Sequence, residues 1–153
     1  MAGNLELVAR TPDEVRAMID AMAPEAKAQL SADWLALFEA SSRSDPWVHG
    51  FVVRDRATGL VVGEGGFKGP PRDGVVEIAY GTAPEHRGKG YATDTAAALV
   101  AYAFGHDDVR VVLAHTLPDS SASQRVLVKC GFARAGDFID PDDGLVWRFE
   151  KHR

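Results

Sequence analysis

The chain has 153 residues, 46% hydrophobic and 25% charged, with a net charge of −5 at neutral pH. That length and balance suit one globular domain burying roughly two thirds of its unfolded surface, and they exclude disordered, collagenous and membrane classes. An acidic balance without a Lys/Arg run argues against nucleic-acid binding and suits a cationic substrate better.

Met1-Ala2-Gly3-Asn4 opens no signal peptide, and no apolar run approaches the ~20 residues that span a bilayer, so a cytoplasmic location without a membrane partner is expected. Leu5 and Leu7 alternate in a first strand, and Thr11-Pro12-Asp13-Glu14 supplies an N-cap, a first-turn proline and acids for a helix to about Ala23. Pro24 starts a second helix with an apolar stripe at Trp34, Leu35, Leu37 and Phe38, ended by Ser41 to Pro46. Segments 47–55 and 60–68 read as antiparallel strands joined through Arg56-Ala57-Thr58-Gly59, and 75–82 as a third strand of the meander after Gly69 to Gly74.

The architecture changes after Pro84. Ala92, Ala96, Leu99 and Ala103 recur at helical spacing, and 109–116 is a nearly continuous apolar run of the kind buried on both faces, which together make a βαβ unit. Ser121 with Gln124 predicts a capping box, Val126, Leu127 and Cys130 give that helix its apolar face, and Gly131 stands where a left-handed C-cap belongs. Cys130, the one cysteine, excludes an internal disulfide, fits a reducing compartment and offers no thiolate cluster for a metal. Strands 132–138 and 144–150 across Asp140-Pro141-Asp142-Asp143 complete the chain, and without repeats or linkers residues 1–153 are expected to form a single domain.

The chemistry begins at Arg87-Gly88-Lys89-Gly90-Tyr91-Ala92, a glycine-interrupted basic turn that opens a helix. The first amides of a helix have no internal partner and lie at the positive end of its dipole, so a phosphate there accepts several hydrogen bonds at once. Glycines at 88 and 90 let a phosphate reach the backbone, while Arg87 and Lys89 add charge; the alternative is a surface turn with two solvated cations. The Gly-Lys-Ser/Thr ending of a P-loop is missing, and a meander precedes the turn, so nucleoside triphosphate and dinucleotide readings both weaken.

Arg87, Gly90 and Ala92 match the Q/R-x-x-G-x-G/A signature of the GNAT superfamily of N-acetyltransferases, which the order of elements also resembles. Gly66 to Pro71, Val76-Glu77-Ile78-Ala79-Tyr80-Gly81, and Ser123 to Leu127 with Lys129, Gly131 and Phe132 resemble the branch named for ribosomal-protein N-terminal acetyltransferases (RimJ/RimL-type). The resemblance implies an α+β fold: a mixed, mostly antiparallel sheet of about seven strands, about four flanking helices and a splayed parallel strand pair. Acetyl-CoA is then expected as cosubstrate between the strands ending near Thr82 and Thr116, with its pantetheine along Ile78, Ala79, Tyr80, Gly81 and Thr82 and its pyrophosphate at Arg87 to Ala92. Many relatives have Asn where this chain has Ser120, so that pantetheine contact is in doubt, and Leu127 stands where other branches carry a tyrosine acid.

Acetyl transfer needs a neutral amine, oxyanion donors and a stabilised thiolate. A lysine-like amine is neutral about once in 2,500 molecules at pH 7 and an N-terminal amine about once in ten, so a base matters most for the former. Glu77, alone among Val75, Val76, Ile78 and Ala79, is the candidate base, occupying the place of a catalytic Glu in some family members; a Glu satisfied by a neighbouring strand's Arg or by solvent is the alternative. Ser123 occupies the position of a Ser that in this branch lies near the cofactor sulfur, against a locally bonded first-turn Ser. His115, His49 and His86 are further options, more often structural than chemical, and Cys130 reads as core. Trp34 and Phe38 pack the second helix, which borders the acceptor site in this fold, and Asp33 and Asp45 nearby would receive a cationic acceptor or be solvated. The expected partner is an amine, either a protein N-terminus or a small molecule, acetylated directly in a ternary complex; a non-catalytic acyl-CoA-binding or sensory domain is the alternative. The sequence is silent on oligomeric state, with a homodimer left open.

Overall fold

The computed structural model describes residues 4–141 and 143–153. Met1 to Gly3, and Asp142 of the last expected turn, lie outside the described residues. Strand β1 (Leu5–Ala9) leads through α1 (Pro12–Ala21), α2 (Pro24–Ala28), α3 (Ala32–Ala40) and α4 (Pro46–His49) into the meander β2 (Phe51–Asp55), β3 (Val61–Phe67) and β4 (Val75–Thr82). Then come α5 (Tyr91–Phe104), β5 (Val111–Thr116), α6 (Ser121–Lys129), β6 (Ala133–Asp140) and β7 (Gly144–His152). The strands form one sheet in the order β1-β2-β3-β4-β5-β7-β6, antiparallel except for β4 with β5, as the α+β reading expects. None of the described helices is long and apolar enough to cross a membrane.

Among the described residues six α-helices replace the expected four, and the two additions have local causes. The helix begun by Pro24 stops at Ala28, and the Ser31 hydroxyl accepts a bond from the Trp34 amide at 3.3 Å to start a new one. Asp45 caps Trp47 at 3.0 Å ahead of Pro46, so residues 46–49 form one helical turn where a strand start was expected. At α1 the expected start holds: Thr11 Oγ1 accepts from the Glu14 amide at 3.1 Å and Glu14 Oε1 from the Thr11 amide at 3.2 Å. The box expected at Ser121 and Gln124 does not form. Ser120 is the N-cap, and Gln124 Nε2 donates instead to the carbonyls of Leu117 and Pro118 at 3.1 and 3.0 Å. Gly131 closes α6 at φ +90°, with Phe132 N donating to Leu127 O and Gly131 N to Val128 O, both at 3.0 Å.

Strand alternation sorts the side chains. Val76 and Ile78 of β4 bury against Ala96, Leu99 and Ala103 of α5, with Val112 and Ala114 of β5 and Leu127 of α6 in the same core. On β5 only Val112, Ala114 and Thr116 are buried, while Val111, Leu113 and His115 are half-buried, so the strand is not sealed on both faces as its composition suggested. A smaller cluster of Val15, Phe38 and Val48, with Ile19 and Trp34 against it, joins α1, α3 and α4.

Candidate functional site

β4 and β5 are paired only where Val75, Val76 and Glu77 oppose Val111, Val112 and Leu113. Beyond that point β4 stays with β3 to Thr82, and β5 stays with β7 to Thr116, so a gap opens just after Glu77. Lys68 N donates to Glu77 O, and Ala83 N to Val62 O, each at 2.9 Å. These bonds fix which residues of β4 address β3. The antiparallel pattern then turns the carbonyl of Ile78 and the amide and carbonyl of Tyr80 toward the gap, the Ile78 amide being taken up by the last parallel pair.

The turn after β4 leaves the start of a helix uncapped. Gly88 and Gly90 hold φ of +79° and +83°, and Gly90 is the N-cap of α5, with no side-chain cap on that helix end. The Asp94 amide is bonded back to Gly90 O at 3.2 Å, so the amides ahead of it lie at the open positive end of a 14-residue helix. A Cβ built on either glycine would meet no atom of the protein within 4 Å. The glycines therefore serve the backbone conformation and leave room for a ligand.

A groove of ≈ 670 Å³ runs along this end of the gap. Tyr80, Gly81, Thr82, Arg87, Gly88, Gly90, Tyr91, Ala92 and Ser123 all line it, which gathers most of the expected cofactor residues in one place. Ile78 and Ala79 do not: the side chain of Ile78 is in the core, and Ala79 faces the other side of the sheet. Lys89 is exposed outside the groove, and Ser120 caps α6 without lining it. Arg125 and Lys129 do line it, a role the sequence reading missed. Their four-residue spacing, one turn apart on the helix of Ser123, was the available signal.

Two tyrosines frame the groove. Tyr91 donates its hydroxyl to Asp55 Oδ2 at 2.6 Å, tying the first residue of α5 to the end of β2. That bond, with the Ala57 amide, holds the Asp55 carboxyl below its usual range and raises the Tyr91 phenol. Burial pushes Tyr80 up to about 12, with Cys130 adding to it, so its hydroxyl is a donor throughout neutral pH. Burial likewise raises the Cys130 thiol, whose Sγ donates to Thr93 O at 3.4 Å, which leaves it a poor nucleophile. The Ser123 hydroxyl makes no bond to another described residue, and Leu127 is buried where a tyrosine acid would stand.

Glu77 is neither isolated nor paired with an arginine. Its Oε2 meets Lys68 Nζ and His115 Nδ1, each at 2.9 Å. Arg148 Nε donates to His115 Nε2 at 3.1 Å, which requires a lone pair on that atom and puts the ring proton on Nδ1, aimed at Glu77. The Arg148 guanidinium thus covers the outer nitrogen of His115, and the ring sits between that cation and the Glu77 carboxylate. Glu77 is 21% exposed and lines a cavity of ≈ 330 Å³ with Asp33, Trp34, Leu37, Lys68 and Arg72.

A second cavity, of ≈ 300 Å³, lies between α1, α3 and the β3–β4 surface, and it shares Trp34 with the first and Tyr80 with the groove. Trp34 stacks on buried Phe38 at 5.5 Å and donates Nε1 to Val48 O at 2.8 Å, so it is structural and cavity-lining together. His49 accepts at Nδ1 from the Asp45 amide at 2.9 Å and meets Ser41 Oγ at Nε2 at 3.0 Å, which locks it in place. Asp45 is spent as the cap of α4, whereas His86 lines the groove beside Tyr91.

The chain matches the model of an acetyltransferase (GNAT) domain over residues 4–133. It is 37% identical over 89 residues to an uncharacterised N-acetyltransferase, YjdG, of Bacillus subtilis (strain 168), covering 58% of this chain and 51% of that protein. The chain thus spans about half the length of that relative. Among solved structures it is similar to a spermidine N-acetyltransferase from Vibrio cholerae in complex with CoA and spermine, with TM-score 0.69 and 20% identity over 98% of this chain and 96% of that one. It is also similar to the aminoglycoside acetyltransferase AAC(6')-Ib in complex with coenzyme A, with TM-score 0.71 and 19% identity over 97% and 95% of the two chains. At those identities the likeness is one of fold.

Proposed function

We propose that this chain, which belongs to the acetyltransferase (GNAT) domain family, transfers an acetyl group from acetyl-CoA to a primary amine by direct transfer. The observation that carries this reading is the single groove formed by the parted strands β4 and β5 and the glycine turn at the start of α5. The open helix end, two glycines with space beside them, and the cations of Arg87, Arg125 and Lys129 suit a pyrophosphate. The carbonyl of Ile78 and the amide and carbonyl of Tyr80, on the side of β4 that faces the gap, would address an amide-bearing arm. When bound, acetyl-CoA supplies the acyl group as a thioester, which an amine converts to an amide with release of the thiol.

The chain's own residues then have separable tasks. Ala79 lies on the face of β4 that carries Glu77, one side-chain repeat away, roughly 7 Å. An amine beside Ala79 is therefore within reach of Glu77 through one water, and Glu77 Oε1 receives its proton while Lys68 and His115 hold Oε2. Ser123 directs a hydroxyl into the groove to stabilise the departing thiolate, and its part is small because a thiol near 8.5 leaves readily. The likeness of the motifs at Glu77 to Gly81 and Ser123 to Phe132 to the ribosomal-protein N-terminal acetyltransferase branch supports a protein N-terminus as one acceptor. The two similar structures, one bound to spermine and one named for aminoglycosides, support a small amine as the other. The sensory alternative is favoured by a Glu77 that points into a closed core with no open groove reaching the sulfur, whereas Glu77 lines a cavity here.

The test is release of CoA thiol from acetyl-CoA with and without an amine. Amine-dependent release supports acetyl transfer. Tight binding of acetyl-CoA without turnover of any amine, N-terminal peptides included, would leave a binding domain in its place.

A further inference from the structure

The cavity between α1, α3 and β4 differs in chemistry from the one that holds Glu77. Its lining includes Met18, Ile19, Met22, Leu30, Trp34 and Phe67, contributed by α1, the segment after α2, α3 and β3. Its two side chains of fixed charge, Arg10 and Glu64, neutralise each other through a bond of 2.9 Å, with Arg10 only 14% exposed. A polycation entering here would meet one carboxylate, Glu64, which already holds the Arg10 guanidinium, so its further charges would lie among apolar side chains. Burying an unpaired ammonium is costly, whereas burying a methylene is favourable.

The same cavity has continuity with the cofactor groove. Tyr80 lines both, and Ala79 beside it forms part of the cavity wall, so a molecule seated there presents its end to the gap between β4 and β5. The charged cavity around Asp33, Lys68, Arg72 and Glu77 shares no lining residue with the groove. At ≈ 300 Å³ the apolar cavity also sits at the small end of ligand sites, which run from ~300 Å³ upward.

We propose that the acceptor is a small amine with a single charged amino group on an apolar body, and that the α1–α3 cavity receives that body while the nitrogen lies at Ala79 and Tyr80. This rests on the acetyl-transfer reading and narrows its substrate class, away from polyamines and aminoglycosides. Flexible Met18 and Met22 suit an aliphatic or aromatic body equally.

The experiment measures kcat/KM with saturating acetyl-CoA for n-propylamine, n-butylamine, n-hexylamine and phenethylamine, beside ethanolamine, spermidine and kanamycin. Each added methylene should raise kcat/KM by about two- to fourfold, with n-hexylamine and phenethylamine well above spermidine. Met22→Glu, at a half-buried helix end, should flatten that gradient and lower kcat/KM for n-hexylamine about tenfold, while acetyl-CoA binding by calorimetry shows the variant to be folded. A flat or falling gradient in the parent chain, spermidine or kanamycin preferred over n-hexylamine, or an unchanged gradient in Met22→Glu overturns this inference and leaves acetyl transfer standing. Absence of acetyl-CoA binding in the parent chain would instead overturn acetyl transfer.

Discussion

The groove and the α1–α3 cavity meet at Tyr80, yet the groove and the two cavities are made of different material. The groove is largely a backbone device: two strands that part, and a helix whose first amides are uncapped between left-handed glycines. The cavities are side-chain devices, assembled from residues between Arg10 and Leu113 that come together only in the folded chain. Damage to the first should therefore appear as lost cofactor affinity, whichever amine is offered. Damage to the second should appear as altered dependence on the amine.

The largest effect that would sharpen this contrast is Glu77→Gln. With a lysine-like amine kcat/KM at pH 7 should fall by about 10²- to 10³-fold, and with an N-terminal amine only about tenfold, because the latter is already partly neutral. Acetyl-CoA affinity by calorimetry should be unchanged. Equal losses for both amines would deny Glu77 the role of base.

Gly90→Val should act the other way. A β-branched residue at φ +83° is strained, and its side chain enters the space beside the open amides, so acetyl-CoA should bind about 100-fold more weakly. The ranking of amines should survive.

Tyr91→Phe and Asp55→Asn remove the tie between α5 and β2, and each should weaken acetyl-CoA by about five- to tenfold, raising its KM with kcat nearly constant. Asp55 also has a pH signature. Its folded pKa lies below 3.8, so its contribution to stability is complete above that value and is lost as the pH falls through the lower folded one. The melting-temperature difference between the parent chain and Asp55→Asn should thus be constant from pH 5 to 8 and shrink below about pH 4. Ser123→Ala should do least, lowering kcat by less than about tenfold.

The same contrast explains what could be read from the sequence. Arg87 to Ala92 is a contiguous string whose conformation is local, so the glycine turn and the helix it opens were legible, as was the C-cap of α6 at Gly131. The meander and the βαβ unit followed from periodicity, and the splayed parallel pair from the family resemblance. What failed was governed by competition between nearby options. Gln124 reached two carbonyls of the preceding loop in place of the Ser121 amide, and Asp45 turned an expected strand start into a helical turn. Ser120 and Lys89 share the right neighbourhood but lie outside the groove.

The surroundings of Glu77 were illegible for a different reason. Lys68, His115 and Arg148 are separated from it by 9, 38 and 71 positions in the chain and converge on it through sheet register alone. A histidine with no neighbour in sequence therefore read as structural. In the fold it links a guanidinium to a carboxylate at the mouth of the gap.

The proposed acetyl transfer requires that the parted strands and the glycine turn hold a CoA thioester. Calorimetric titration of the parent chain and of Gly90→Val with acetyl-CoA tests it most directly. One site per chain is expected in the parent, weakened about 100-fold by the substitution; no binding to the parent, or equal affinity in the two proteins, would refute that assignment.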